Sequence, residues 1–132
     1  MNNMYAGWHL IFDGVVEPGE ASERLGDVDF LRTAFLDLVA GVGMEILVPP
    51  VFKVVPLTPE NASSDLEDDG GVTGTCIITT SHISIHTWPL RSRFALDVFS
   101  CKEFNSEAVS GFLMDRFNVK TRSFHWIVRN WP

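Results

Sequence analysis

Basic charge is scarce in this sequence, with ten Lys and Arg against seventeen Asp and Glu and a net charge of −7. The chain therefore lacks the stripe of cations that phosphate binding needs, which excludes nucleic acid and anionic membrane surfaces as partners. Five of the carboxylates, Glu60, Asp65, Glu67, Asp68 and Asp69, crowd between Thr58 and Gly71 with no Lys or Arg among them, so the remainder is close to neutral. Cysteine is equally sparse. Cys76 and Cys101 are too few for a disulfide framework and read as free thiols in a reducing compartment. No apolar run reaches the roughly 20 residues of a membrane span, because Pro49, Pro50 and Lys53 interrupt Ile46 to Val55. The first residues carry no basic segment followed by an apolar one, so a cytoplasmic location is expected.

What is present suffices for a core. The 132 residues are 45% hydrophobic, with ten Phe, four Trp and one Tyr, and match a single domain spanning 1–132. Gly7 to Asp13 reads as a first strand ended by Gly14. Asp27 can cap a helix whose apolar positions Phe30, Leu31, Ala34, Phe35, Leu38, Val39 and Val42 form one stripe, stopped by Gly41 and Gly43. Met44 to Leu57 reads as extended chain broken at Pro49 and Pro50, and the acidic 58–71 stretch as a loop. Strand-forming runs follow at Val72 to Thr80, Ser81 to Trp88 and Phe94 to Cys101. Asn105 or Ser106 then opens a second helix, and Val119 to Val128 is a last strand. This order predicts an α+β protein, a two-layer α/β sandwich with a mainly antiparallel sheet and two helices on one face. The other face would need cover, which a homodimer would supply.

Two loop patterns lead nowhere. Asp65-Leu66-Glu67-Asp68-Asp69-Gly70 opens like a calcium loop, but Cys76 occupies the place of the bidentate Glu, so no metal is expected. Asn61-Ala62-Ser63 fits a glycosylation acceptor only by chance in a protein that is not secreted. Ser81 to Trp88 is more informative. On a strand rising about 3.3 Å per residue, His82 and His86 lie some 13 Å apart and cannot share a metal. Alternation puts His82, Ser84, His86 and Trp88 on one face and Ile83, Ile85 and Thr87 on the other. Two imidazoles, a hydroxyl and an indole in a row suit a pocket better than plain surface.

The run Thr80-Ser81-His82-Ile83-Ser84-Ile85-His86-Thr87-Trp88-Pro89, preceded by Gly71-Val72-Thr73-Gly74 and followed by Leu96-Asp97-Val98-Phe99-Ser100-Cys101, resembles the prokaryotic S-adenosylmethionine decarboxylase family. Gly7 to Asp13 is similar to that family's opening Gly-x-His strand. The resemblance implies a proenzyme that cuts itself between Thr80 and Ser81, giving chains 1–80 and 81–132. Ser81 would attack the carbonyl of Thr80 and become a pyruvoyl group, the cofactor. It further implies His86 as the processing base, Thr73 as its assistant in the acyl shift, and Cys101 as the proton donor to the decarboxylated carbon. Substrate would bind the ketone as a Schiff base, which draws off the electron pair left by carbon dioxide. Trp88, and less directly Phe52, would line the substrate, since a sulfonium gains about 0.5–2 kcal/mol over an aromatic face. Cys76 has no counterpart and is read as structural.

Ser81 and His86 are an odd number of residues apart, so an unbroken strand points them to opposite faces, and a turn or bulge at Ser81 would be needed to join them. Two positions depart from the family, which usually has Glu where Thr80 stands and an acid where Leu90 stands. The second change removes a carboxylate for the ribose hydroxyls, worth about 1.5–3 kcal/mol. The leading expectation is thus a pyruvoyl-dependent decarboxylase of S-adenosylmethionine serving spermidine synthesis. The alternatives are a decarboxylase of another amino acid, such as arginine or ornithine, and an unprocessed partner subunit without activity.

Overall fold

The computed structural model describes residues 5–56 and 70–132. The calcium-like and glycosylation-like patterns, and most of the acidic loop, lie outside the described residues. Six strands, β1 (Tyr5–Val16), β2 (Ile46–Val55), β3 (Gly71–Ile78), β4 (Ser81–Trp88), β5 (Arg93–Ser100) and β6 (Val119–Asn130), form one sheet in the order β2-β3-β4-β5-β1-β6. Every pairing is antiparallel. Helices α1 (Glu20–Arg24), α2 (Val28–Gly41) and α3 (Ser106–Arg116) complete the fold, with a short 3₁₀ turn at Pro89–Arg91. The α+β class and antiparallel sheet are as expected; α1 was not anticipated.

Local chemistry explains the helices. The Asp27 carboxylate accepts the amides of Asp29 and Phe30 at 3.0 and 3.3 Å, closing the open end of α2, and Asn105 accepts that of Ala108 at 3.0 Å for α3. The α2 stripe Leu31, Ala34, Phe35, Leu38 and Val39 is buried against the sheet. Phe94 stacks on Phe12 and Phe117, with ring centroids 5.9 and 4.6 Å away. Leu10, Phe12, Val72, Ile83, Ile85, Leu96 and Val98 complete this face, each essentially excluded from solvent. Thr87 shares the buried face because its hydroxyl accepts the Val72 amide at 2.9 Å and donates to the Leu25 carbonyl at 2.7 Å. Gly71, at φ 99°, lets β3 pass β4 here, since a Cβ would sit 2.0 Å from the Thr87 oxygen.

The expected break at Pro49 and Pro50 is a register slip instead. β2 runs through both prolines, with its pairing to β3 shifting between Val48 and Val51. It is an edge strand, where missing amide donors cost little. Among the described residues no helix is long and apolar enough to cross a membrane.

Candidate active site

The face of the sheet turned away from the helices carries the chemistry. The strand registers put all four histidines, His9, His82, His86 and His125, on it, together with Thr73, Ser84, Asp97 and Trp88. Burial along β4 alternates as expected, with Ile83, Ile85 and Thr87 buried and the residues between them in part accessible. Two groups of side chains occupy opposite ends of β4.

At the downstream end, the Thr73 hydroxyl lies 2.6 Å from His86 Nδ1 across the β3–β4 ladder. The imidazole packs edge-on against Trp88 at 4.4 Å, and the Arg93 guanidinium stands 6.0 Å from the same indole. Trp88 Nε1 is buried with no hydrogen-bond partner among the described residues. A cavity of about 460 Å³, lined by Lys53, Thr73, Ser84, His86 and Asp97, opens beside it. A second, of about 560 Å³, lies past Trp88 against Asp13, Arg93 and Ser123. Leu90 is 71% exposed on the 3₁₀ turn.

At the upstream end, Thr79 and Thr80 turn the β3–β4 hairpin and Ser81 begins β4 at φ 148°. A non-glycine residue held at positive φ costs about 1–3 kcal/mol, and such strain gathers where backbone chemistry happens. The register pairs Ser81 with Ser100 and so brings Cys101, twenty residues away in sequence, beside the Thr80–Ser81 peptide. The Cys101 amide donates to the Thr80 carbonyl at 2.8 Å. Cys101 is exposed, while Cys76 is buried and its thiol pKa is raised by desolvation.

Two expectations fail here. Phe52 lies on the helix side of the sheet, 8% exposed, with its ring 5.1 Å from Phe35 and filling the space over Gly74, so it cannot touch a ligand on the open face. Nor does a bulge bring Ser81 to His86. The β3–β4 and β4–β5 pairings run without a shift, and five residues of strand span about 16 Å. A His9–Asp97 pair at 3.0 Å was not foreseen, because only the β1–β5 register joins residues so far apart in sequence.

The fold has a solved counterpart. The crystal structure of the adenosylmethionine decarboxylase from Aquifex aeolicus superposes with a TM-score of 0.74, covering 98% of this chain and 94% of that one at 20% identity. That likeness defines the fold class as a two-layer α+β sandwich. The family follows from sequence: the S-adenosylmethionine decarboxylase model matches residues 9–130, and the chain belongs to this family of carboxy-lyases. It is 31% identical to the S-adenosylmethionine decarboxylase proenzyme of Thermococcus kodakarensis over 115 residues, 86% of this chain and 69% of that protein. The proenzyme of a Geobacillus species is 27% identical over 100 residues, 76% of this chain and 70% of the relative.

Proposed function

We propose that this chain cuts itself between Thr80 and Ser81 and uses the pyruvoyl group formed from Ser81 to decarboxylate S-adenosylmethionine, supplying the aminopropyl donor for spermidine synthesis. The observation that carries the reading is the Thr80–Ser81 peptide itself, whose carbonyl is held by a backbone donor and whose next residue is strained. In the acyl shift the Ser81 oxygen bonds to the Thr80 carbonyl carbon, the peptide C–N bond breaks, and the hydroxyl proton passes to the freed amine. The Cys101 amide stabilises the charge that develops on the Thr80 oxygen, a role worth about 10²–10³ in rate elsewhere. A base then takes the Ser81 α-proton, the Cβ–Oγ bond breaks, and Thr80 leaves as a carboxylate. Water displaces ammonia from the remaining fragment to leave the ketone. Once formed, the pyruvoyl carbonyl supplies an electron sink for decarboxylation.

The chain's other residues divide the remaining work. His86 is the base of the elimination, and Thr73, hydrogen-bonded to its Nδ1, fixes the ring and assists the acyl shift. Because about 16 Å of regular strand separates it from Ser81 in one chain, His86 acts on the Ser81 of a second copy. A homodimer that brings the Ser81 end of one β4 to the His86 end of the other supplies that arrangement. Cys101 is the acid that protonates the decarboxylated carbon, its exposed thiol lying on the Ser81 side of the site. Trp88 offers its ring to the sulfonium.

The test is the mass of the fragment that begins at position 81, followed by carbon dioxide release from S-adenosylmethionine, arginine and ornithine in parallel. The expected result is a pyruvoyl-blocked fragment 81–132 and release from S-adenosylmethionine alone. Release only from arginine or ornithine overturns the substrate, and an intact chain under all conditions overturns the enzyme.

A further inference from the structure

The pairing at the hairpin points beyond the groups that react. Ser100 is 1% exposed and ends β5 on a face otherwise apolar, after Leu96 and Val98. Its hydroxyl donates to the Thr80 hydroxyl at 2.8 Å and accepts the Lys102 amide at 3.1 Å. The next residue, Cys101, donates its amide to the Thr80 carbonyl. Thr80 is thus held twice by consecutive residues of one strand end, once by side chain and once by backbone. A side-chain anchor alone would leave the carbonyl free to rotate, and a carbonyl anchor alone would leave the residue free to pivot about its own oxygen. Together they stop the peptide plane from turning, while Ser81 keeps the strained φ.

We propose that Ser100 is a positioning residue for self-cleavage, holding Thr80 through the Thr80 hydroxyl so that its carbonyl stays on the Cys101 amide while Ser81 moves to attack. The inference rests on the self-processing reading above and assigns a task to the Thr80 side chain. Its hydroxyl is the handle by which this chain is gripped. Near-attack geometry is sensitive to such fixing, because a small misplacement of the reacting carbon is costly in rate.

A double-mutant cycle on the full chain tests it, following fragment formation over time. Ser100→Ala slows cleavage about tenfold, the factor one net hydrogen bond supplies. Thr80→Val slows it equally, Thr80→Ser keeps the wild-type rate, and Ser100→Ala has no further effect in the Thr80→Val background. Melting temperatures identify any variant that fails to fold; if Ser100→Ala is one, Thr80→Val against Thr80→Ser decides alone. Amide hydrogen exchange at Cys101, measured in chains that carry Ser81→Ala and cannot cut, reads the same coupling without cleavage. Protection at Cys101 falls when Ser100→Ala is added. Unchanged cleavage and unchanged protection in Ser100→Ala overturn the proposal while leaving self-processing intact. An unmutated chain that never cuts, but whose Cys101 protection depends on Ser100, overturns the processing reading and leaves the grip on Thr80 standing.

Discussion

The two ends of β4 are built for different tasks. The upstream end is a backbone device in which a carbonyl, an amide and a strained residue hold one peptide bond in place. The downstream end is a side-chain device in which a hydroxyl, an imidazole and an indole stand on the open sheet face. A regular strand keeps them apart, so neither end reaches the other within one chain. Under the proposed roles the nucleophile and its base would meet only between two copies, and the rigidity of the strand would fix how those copies must be arranged.

Four experiments can break or sharpen this comparison. The largest effect belongs to Ser81→Ala, which abolishes both fragments on a denaturing gel and all carbon dioxide release. Co-expressing Ser81→Ala chains with His86→Ala chains comes next. Each alone stays uncut, whereas mixed dimers pair one intact Ser81 with one intact His86 and fragments reappear. No fragments from folded mixed dimers would return both ends to a single protomer. Cys101→Ser acts on the upstream end after cutting; cleavage proceeds, and turnover of the processed enzyme falls by about 10²–10⁴, the usual worth of a general acid. The smallest is Thr73→Val, which removes one hydrogen bond from His86 and slows cleavage about tenfold, read from fragment formation.

Much of this arrangement could be read from the residues. Asp27 and Asn105 announced the two main helices through their side-chain oxygens, and the alternation of Ser81 to Trp88 sorted polar from buried positions because the strand period is two. The distance between Ser81 and His86 was also legible from strand rise, but the expected bulge hid its consequence. Phe52 was misjudged because it was carried over from the resemblance next to the loop insertion, whereas its pairing with Gly74 turns it toward Phe35 on the helix side. Ser100 and the Cys101 amide escaped notice for a different reason. Both contact Thr80 across β4–β5 pairing, and a backbone donor leaves no trace in residue identity. A lone hydroxyl ending the apolar run Leu96, Val98, Ser100 was the available clue.

The strand order governs what the proposed cut would do to the molecule. Strands β1, β2 and β3 would go to the first piece and β4, β5 and β6 to the second, yet β1 lies between β5 and β6, while β4 and β5 lie between β3 and β1. The two products would be laced through each other along three hydrogen-bonded seams. They should therefore co-purify as one particle and part only in denaturant, so that severing the covalent link releases a chain end for chemistry without releasing a subunit.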